Sequence, residues 1–396
     1  MQVERVELLN PEQLSEVLSL VGAATHFDGV SPLSEQVLLA ARGDLATSTS
    51  TGTTSGTDSG TTSGNASGTG AGIGTGTAGS ATSSLPNVSG GTHLVAYDGT
   101  YLAGYAHLEP GLAGEAATAE LVVDPGHRRN GIGTMLIHGL EEALGPEGAT
   151  SRPATAAASL PDTVTLQIWA HGHLDGARAF ALRDGYSNAR ELWRMCRSLR
   201  SDVGPSPSSD PSPSSEPPPS SEPPPAVGAL PVIALPEGFR TRHLVVGQDE
   251  SAWLRVNARA FVDHPEQGRM TRHDLDQRMT ETWFDETGFI LIEDMRGPAP
   301  VLAASHWTKV VPATDPKVPP TEGEVYVVGV DPAYQGLGLG RAVTVLGLAH
   351  LRDQGASEAT LYVEADNRAA IATYSRLGFA RCAVDIMYSR TVHSPV

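Results

Sequence analysis

One pattern of strand, Asp-Pro turn, glycine-rich bend and helix occurs twice in this chain, and it constrains the fold more than any other feature. The first copy reads AELVVDPGHRRNGIGTMLIHGLEEAL, and the second reads VYVVGVDPAYQGLGLGRAVTVLGLAHL. Gly133 is equivalent to Gly340, so the copies lie 207 residues apart. An alternating strand and an alanine-rich helix, ending in glycine and an aromatic residue, follow each copy. The repeat predicts a duplicated α/β fold with an α+β mixed sheet.

Three segments of low complexity interrupt this pattern. Residues 47–91 are almost wholly Thr, Ser, Gly and Ala, which cannot bury enough apolar surface to offset the entropy of ordering, so we predict a disordered insertion. Residues 201–225 are rich in proline and predict a stiff, extended linker, while residues 145–161 predict a surface loop. The predicted organisation is an N-terminal domain at 1–200, a linker at 201–226 and a C-terminal domain at 227–396.

Charge and hydropathy limit the classes of binding partner expected for this 396-residue chain. Its formal net charge of -18 opposes binding to phosphate backbones or anionic lipid, because both require a basic field. The first residues, MQVERVELLN, lack the basic region and apolar run of an export signal, and no apolar run approaches the roughly 18 residues of a membrane span. We therefore expect a cytoplasmic protein without nucleic-acid or membrane partners. A monomer is the working expectation for its assembly.

The spacing of cysteine and histidine predicts no metal site. Cys196 and Cys382 each stand in an apolar stretch without a second Cys or His at metal-ligand spacing, so we expect reduced structural thiols. His171 and His173 form H-x-H after a strand, but the sequence offers no third ligand nearby. We interpret this pair as part of an ordinary loop.

The two glycine-rich bends carry the first chemical signal. Q-x-x-G-x-G begins at Gln335 and R-x-x-G-x-G begins at Arg128, each directly after a strand and at the start of a helix. Glycine lets the backbone approach a ligand, and successive N–H groups at a helix start form a pocket for pyrophosphate. The G-x-x-x-x-G-K-[ST] motif is absent from the sequence, and a dinucleotide motif would need glycine where Arg341 and Leu136 stand.

These bends, each after a strand that ends in V-D-P, resemble the [QR]-x-x-G-x-[GA] signature of the GNAT superfamily of N-acetyltransferases. The chain is also similar to a tandem actinobacterial branch of that superfamily, in the segments DGVSPLSEQVL, HPEQG, HWTKV, GEVYVVGVDP and YVEADNRAAIATYSRLGF. The resemblance covers most of the chain outside the low-complexity segments. It implies two tandem GNAT domains, acetyl-CoA as co-substrate without a metal, and a small-molecule acceptor, cysteinyl-glucosaminyl-inositol, whose cysteinyl amine is acetylated.

The resemblance implies an acetyl-CoA contact surface in each half. In the first half this surface consists of Leu121, Val122, Val123, Arg129, Asn130, Gly131, Ile132, Gly133 and Thr134. In the second half it consists of Val328, Gly329, Val330, Gln335, Gly336, Leu337, Gly338, Leu339, Gly340, Arg341, Asn367, Arg368, Ala369, Ala370, Ile371 and Ala372. The residues up to Arg341 are expected to hold the pantetheine and pyrophosphate, and those from Asn367 to lie along the other side of the cofactor.

The resemblance also implies acceptor contacts and two catalytic residues. Glu324 is expected to accept a proton from the amine, which titrates at about pH 8 and must be deprotonated to attack. Tyr374, in the helix before Gly378, is where the superfamily places the acid that protonates the leaving thiolate. The implied acceptor contacts are Glu35, Glu266, Lys309, Glu324 and Tyr362.

Strand alternation gives the catalytic carboxylate an orientation. A period of two places Glu324, Tyr326, Val328 and Val330 on one face of their strand, near the backbone expected to hold the thioester. A strand N–H freed from pairing would suit the oxyanion that forms as the amine attacks.

The first half lacks both catalytic side chains. Alignment on the shared Asp-Pro turn sets Ala117 opposite Glu324, and alignment on the glycine after the last helix sets Ala181 opposite Tyr374. Neither alanine can transfer a proton. We infer that the first domain binds cofactor without catalysing, and that it contributes Glu35 to acceptor binding.

Two other functions remain open at this point. A tandem acetyltransferase for another small amine, such as an antibiotic, would tolerate loss of HPEQG and of Lys309. A non-catalytic acyl-CoA sensor would bind the cofactor in both halves without turnover. The presence of both Glu324 and Tyr374 in one half favours an enzyme.

Deletion of Ser48 to Gly90 tests the predicted insertion. We expect soluble, folded protein with nearly unchanged activity, because the segment has no apolar period with which to join a core. Circular dichroism and an acetyl-transfer assay measure both properties. Loss of soluble protein, or of most of the activity, would show that the segment belongs to the folded structure.

Overall fold

The computed structural model describes residues 1–49, 91–111, 115–144, 163–200, 230–262, 264–311 and 322–393. Residues 50–90 of the predicted insertion, the proline-rich linker and the predicted loop at 145–161 lie outside the described residues. Two compact units are present. Unit 1 comprises Met1–Trp169 with Ser389–Val396, and unit 2 comprises Ala170–Tyr388. The predicted domain boundaries around the linker remain a prediction.

Unit 1 contains the strand order β1-β2-β3-β4-β5. The strands from β1 to β4 pair antiparallel in chain order, and β5 pairs parallel with β4. A parallel neighbour requires a crossover, and helix α3 lies between these two strands in the chain. The elements are β1 Gln2–Val6, α1 Pro11–Asp28, α2 Glu35–Thr49, β2 Thr92–Asp98, β3 Tyr101–Glu109, β4 Ala117–Val123, α3 Ile132–Ala143 and β5 Thr163–Ala170.

Helix α1 shows how local sequence signals fix an element. The Asn10 side chain accepts a hydrogen bond from the Gln13 amide, and the Asn10 amide donates to the Gln13 side-chain oxygen, which satisfies two of the unpaired donors of the first turn. Gly29 ends the helix in a left-handed conformation with φ 73°. The helix buries its apolar stripe in one core cluster with residues of β2, β3 and β4.

Unit 2 contains the strand order β12-β6-β11-β10-β9-β8-β7. The strands from β7 to β10 pair antiparallel, β11 pairs parallel with β10, and β6 pairs antiparallel with β11. Strand β6 precedes the predicted linker, so residues from before the linker form part of this sheet. The elements are α4 Asp175–Arg183, β6 Ser187–Ser198, β7 Phe239–His243, α5 Glu250–Ala260, α6 Pro265–Gly268, α7 Arg272–Met279, β8 Phe289–Asp294, β9 Val301–Lys309, β10 Glu322–Val330, α8 Leu339–Asp353, β11 Glu358–Glu364, α9 Arg368–Arg376 and β12 Ala380–His393.

The sheet of unit 2 has a different core on each face. Helix α8 packs on one face through an aliphatic stripe that includes Val343 and Leu348. On the other face α5 and α7 cover an aromatic cluster, in which Trp307 stacks on Phe289 with ring centroids 4.7 Å apart. Trp253 in α5 packs edge-on against Trp307 and donates from its indole N–H to the Ser305 hydroxyl at 3.0 Å. These contacts hold α5 against the sheet.

A β-bulge changes the direction of side chains in β10. The register with β9 shifts between Val325 and Val327, so the ladder skips Tyr326. Val325 packs with residues of α8, whereas Val327, two residues later, packs in the aromatic cluster. Regular alternation would place both valines on one face of the sheet. The extra residue therefore turns the later side chains of β10 to the face opposite the one that regular alternation predicts.

The prediction that four alternating residues of β10 share one face is therefore wrong in part. Tyr326 packs in the aromatic cluster, and Glu324 lies on that same face, because Gly323 before it faces Leu351 of α8. Val328 and Val330 lie on the opposite face and pack with α8. Periodicity in the sequence cannot reveal the bulge, because an inserted strand residue leaves no compositional mark.

The expectation of reduced thiols is also wrong. Cys196 in β6 and Cys382 in β12 form a disulfide, with Cα atoms 5.9 Å apart. The two strands are neighbours in the sheet, which a separation of 186 residues in the sequence conceals.

Replacement of Gly347 by alanine tests the packing of α8 on the sheet. An added Cβ would lie 2.0 Å from the ring of His306, which is buried and holds its Nδ1 2.9 Å from the Val343 carbonyl oxygen. Burial lowers the pKa of His306 to about 4, so the ring is neutral and cannot leave the core as a solvated cation. We expect a loss of about 3 kcal/mol in the free energy of unfolding, measured with urea.

Gly176→Ala is the matched control in unit 2. Gly176 lies in α4 and has no heavy atom within 4 Å of an added Cβ, so we expect no loss of stability. Equal unfolding midpoints for the two variants would contradict the packing described around His306.

Candidate active site

The glycine-rich bend of unit 2 leaves backbone N–H groups accessible at the start of α8. Asp331 accepts from the Ala333 amide at 2.9 Å and begins a short turn that leads into the bend. Gly336 and Gly338 have φ of 80° and 78°, a conformation that favours glycine. Gly338 is the N-cap of α8 and makes no side-chain cap hydrogen bond. The first amides of the helix are therefore available to an anion such as a pyrophosphate.

Unit 1 repeats this geometry with one difference. Asp124 accepts from the Gly126 amide at 2.9 Å, and Gly131, with φ 87°, caps α3 without a side-chain hydrogen bond. Arg129 adopts φ 68° at the position where unit 2 has a glycine. Arg128 donates to both carboxylate oxygens of Asp28, at 2.8 and 2.5 Å. The Arg128 side chain thus fastens the bend to the end of α1.

The predicted cofactor residues occupy corresponding places in the two units. Leu121–Val123 and Val328–Val330 end β4 and β10, and the bends and first helical turns follow them. Asn367 is the N-cap of α9 and accepts from the Ala370 amide at 3.1 Å, so its carbonyl oxygen serves the helix itself. Glycines, uncapped first turns and the absence of an acidic side chain in either first turn fit a diphosphate group.

Glu324 lies in a polar row across three strands of unit 2. Its register partners are Lys309 on β9 and Thr360 on β11. The Thr360 hydroxyl donates to Glu322 at 2.9 Å, which places Thr360 on the face of the two glutamates. Arg194 of β6 also donates to Glu322, at 2.6 Å. A carboxylate pair with a cation on either side therefore occupies this face.

Tyr362 belongs to the same face of β11. It lies two residues after Thr360, and Arg194 is its register partner. It keeps 46% of its surface exposed. Partial burial raises the pKa of its phenol, and the nearby Glu324 carboxylate raises it further, to about 12. The phenol therefore stays protonated at neutral pH and can donate a hydrogen bond to a ligand on this face.

Two aromatic rings hold the ammonium group of Lys309. Its Nζ lies 4.9 Å from the ring centroid of Trp283 and 5.1 Å from that of Tyr326, the bulge residue. Arg278 of α7 donates to the Tyr326 hydroxyl at 2.9 Å. Sequence reasoning missed Trp283 and Arg278 as site residues, because neither belongs to a motif or to a strand of the row.

Tyr374 lies in α9 beside the last turn of the helix. Its ring packs edge-on against Phe379, with centroids 6.0 Å apart, and burial raises the pKa of its phenol to about 12. Arg197 of β6 donates to the carbonyl oxygen of Leu377, at the end of the same helix. A buried guanidinium on a strand from before the linker thus fixes the helix that carries Tyr374.

The remaining predicted acceptor contacts are placed as follows. Glu266 lies in the short helix α6 of unit 2, and Glu35 lies in the first turn of α2 in unit 1.

The side chain of His171 pairs with Asp385 of β12, with Nδ1 3.0 Å from the carboxylate. Among the described residues, no group of three His, Cys, Asp or Glu side chains could hold a metal ion.

Unit 1 differs from unit 2 at the positions of the polar row. The described register between β3 and β4 has no shift, so when the bulge of β10 is counted Thr118, rather than Ala117, corresponds to Glu324. Neither side chain can accept a proton from an ammonium at neutral pH. Ala181 remains the counterpart of Tyr374 and is buried in α4.

The inner rows of the two sheets differ as well. In unit 1, His93, His107 and Glu120 are register partners on adjacent strands and are all buried. Glu120 accepts from the Ser34 amide at 2.6 Å, and His93 Nδ1 lies 2.7 Å from the Tyr105 hydroxyl. The corresponding row in unit 2 is apolar and consists of Phe289, Trp307 and Val327.

Aspartate substitutions in the two bends test the predicted acetyl-CoA sites. Gly338→Asp and Gly131→Asp place a negative charge where the pyrophosphate is expected, so we predict the loss of one binding site each, measured by calorimetry. Only Gly338→Asp should abolish turnover. Gly338→Ala and Gly131→Ala are the controls, because alanine brings the same strain of about 1 kcal/mol without charge.

Equal loss of turnover in the two aspartate variants, with unchanged circular dichroism, would refute the division into one catalytic and one supporting half. Equal binding by the alanine and aspartate variants would refute the pyrophosphate assignment of the bends.

Comparison with known proteins agrees with this geometry. The model of the acetyltransferase (GNAT) family matches residues 81–161 and 259–379. The mycothiol acetyltransferase of Thermomonospora curvata is 40% identical over 382 residues, which cover 96% of this chain and 94% of the relative. The mycothiol acetyltransferase of Cellulomonas flavigena is 46% identical over 300 residues, which cover 75% of this chain and 73% of the relative.

Two solved structures share the fold. A tandem GNAT protein from the clavulanic acid biosynthesis pathway superposes with a TM-score of 0.61 at 16% identity, covering 100% of this chain and 99% of that one. A GCN5-related N-acetyltransferase from Sphaerobacter thermophilus gives 0.56 at 19% identity, covering 100% and 97%. The predicted α/β fold with two tandem GNAT domains is confirmed. The chain belongs to the acetyltransferase (GNAT) family and, within it, to the mycothiol acetyltransferases.

Proposed function

We propose that unit 2 transfers the acetyl group of acetyl-CoA to the cysteinyl amine of cysteinyl-glucosaminyl-inositol, giving mycothiol and CoA. The observation that carries this proposal is the position of Glu324. It stands two residues before the bulge residue Tyr326, in register with Lys309 and on the face of Tyr362. The carboxylate proposed to accept the proton therefore lies on the same face of the sheet as the β-bulge residue and the polar side chains proposed to bind the amine substrate.

The first step is loss of a proton from the acceptor. A protonated α-amine has no lone pair with which to attack, and Glu324 can take its proton directly or through one water. Lys309 is the register partner of Glu324 on β9, so a basic side chain stands on the strand beside the proposed base. The paired carboxylates and the Tyr362 hydroxyl suit an acceptor with an ammonium group and many hydroxyls.

The second step is attack on the thioester carbonyl. Its oxygen becomes negatively charged, and preorganised N–H donors stabilise that charge. The bulge in β10 supports this role, because it interrupts the ladder with β9 two residues after Glu324. The strand end Val328–Val330 and the bend before α8 would hold the pantetheine and pyrophosphate of acetyl-CoA, which supplies the acetyl group.

The third step is departure of the CoA thiolate. Tyr374 would return a proton to the sulfur, and a phenol whose pKa is raised to about 12 carries that proton throughout the neutral range. The attacking nitrogen loses a second proton when the tetrahedral intermediate collapses, and a proton taken from solvent restores the Tyr374 phenol. Glu324 releases the first proton to solvent, so one proton leaves for each acetyl group transferred and both side chains return to their starting states. We propose that unit 1 binds acetyl-CoA without catalysis, since Thr118 and Ala181 stand at the two catalytic positions.

Among the described residues no helix is long and apolar enough to cross a membrane. A cytoplasmic location is part of the proposal, since the reaction consumes acetyl-CoA.

Glu324→Gln tests the proposed base. We expect turnover to fall at least about 100-fold with acetyl-CoA binding nearly unchanged, because the amide cannot accept the proton. Glu322→Gln is the matched control: it removes a carboxylate from the same face but leaves the base in place, so the pH profile should keep its shape. Turnover is measured between about pH 6 and 9 with mass detection of the product.

A Glu324→Gln enzyme within about threefold of the parent across that range would remove Glu324 as the base. Acetyl-CoA binding without turnover in the parent protein, for this acceptor and for other small amines, would favour the acyl-CoA sensor instead.

A further inference from the structure

The disulfide of unit 2 stands in the same strand row as the proposed base. Glu324 is the register partner of Thr360, Thr360 is the register partner of Cys196, and Cys196 is bonded to Cys382 on the next strand. Register partners on adjacent strands share a face of the sheet. With strands about 4.8 Å apart, Cys196 lies about 10 Å from Glu324 along the row.

The two cysteine residues differ in exposure. Cys382 is an exposed residue, whereas Cys196 is partly buried between β11 and β12. A thiolate in solution therefore meets Cys382 first. Exchange requires approach to one sulfur and departure of the other, so the exposed sulfur forms the mixed disulfide and the inner one leaves.

The chemistry of the proposed reaction supplies the attacking group. Acceptor and product both carry a free cysteinyl thiol, because the acetyl group goes to nitrogen and leaves sulfur unchanged. Disulfides that persist in a reducing compartment are commonly redox-active rather than structural. An exposed one, two strands from the proposed base, is therefore accessible to the thiols that this enzyme itself handles.

We propose that the Cys196–Cys382 disulfide is a thiol–disulfide exchange site for low-molecular-weight cysteinyl thiols, which enter at Cys382. The reducing compartment and the identity of the thiol in the cell rest on the proposed function; the site itself rests on the disulfide, its exposure and its place in the strand row.

The exchange balances without an added oxidant. The incoming thiolate attacks Sγ of Cys382, the new S–S bond forms as the Cys196–Cys382 bond breaks, and Cys196 leaves as a thiolate that takes a proton from water. A second thiolate then attacks the sulfur of the bound thiol, releases the symmetrical small-molecule disulfide and leaves Cys382 reduced. Two electrons pass from two small thiols to one protein disulfide.

Opening of the disulfide affects the site through β6. This strand sends Arg194 to Glu322 and Arg197 to the carbonyl of Leu377 at the end of α9. The disulfide is a covalent tie between β6 and β12. Its loss leaves β6 held by noncovalent pairing alone, so the helix that carries Tyr374 is less firmly positioned. The open form is the slower enzyme, so the free thiols of acceptor and product both lower its rate by opening the disulfide.

The test uses the full chain, purified without reductant, and N-acetylcysteine as the probe. After incubation without acetyl-CoA and an acid quench, intact mass and peptide mapping should show one probe on Cys382 and one alkylatable thiol at Cys196. N-acetyl-S-methylcysteine is the matched control and should add nothing. Cys382→Ser should abolish the adduct on the oxidised protein, because it removes the disulfide and the exposed sulfur together.

Turnover is compared for the oxidised and the opened protein with an S-methylated acceptor, which cannot itself reduce the disulfide. We expect the opened protein and Cys382→Ser to be slower by the same factor, about threefold to tenfold, as loosening of a positioning contact predicts.

Three results would overturn the proposal. They are an adduct on Cys196 rather than Cys382, no adduct in the folded protein while the urea-unfolded protein reacts, and two alkylatable thiols in the untreated protein. Equal turnover of the oxidised and opened forms would overturn the effect of the disulfide on the rate. An adduct on Cys382 in a protein that transfers no acetyl group would instead refute the proposed function and leave the exchange site standing.

Discussion

The antiparallel pairing of β6 with β11 is the contact on which the sheet of unit 2 depends. It joins seven register pairs, from Glu358 with Ser198 to Glu364 with Leu192. Without it β11 would present an open edge of unpaired N–H and C=O groups beside the polar row. The same strand brings Arg194 to Glu322 and Arg197 to the end of α9. A segment from before the linker thus contacts the carboxylate two residues before Glu324 and the end of the helix that carries Tyr374.

The bulge in β10 is the second constraint, and it distinguishes the two halves of a duplicated fold. A single extra residue turns Val327 to the aromatic cluster and Val328 to α8, and it leaves Tyr326 beside Lys309. The corresponding pairing in unit 1 runs without a shift. The shared motifs give both halves a glycine bend that caps the following helix, whereas the irregularity in β10 and the polar row occur in unit 2. Duplication of the frame has therefore not duplicated the proposed chemistry.

Much of this could be predicted from the sequence. The strand, Asp-Pro turn, bend and helix stand where the repeated pattern places them, because a glycine with positive φ and a helix start are local features. The partners of the predicted residues could not be predicted. Trp283 and Arg278 lie outside every motif, and they meet Lys309 and Tyr326 only because α7 packs on that face of the sheet. The disulfide and the bulge could not be predicted from the sequence for the same reason, since each depends on which strands become neighbours.

The sequence by itself determined the duplicated α/β frame, the two glycine bends and the family of the chain, because each depends on residues that are close together along the chain. The tertiary structure alone decided that β6 joins the sheet of unit 2, that Val328 faces away from Glu324, and that Cys196 meets Cys382. Each of these follows from strand order and register, which are set by burial of whole sheet faces and not by local spacing. Local sequence patterns identify the helices, strands and turns that form such a site. Long-range strand pairing determines which side chains lie together in it.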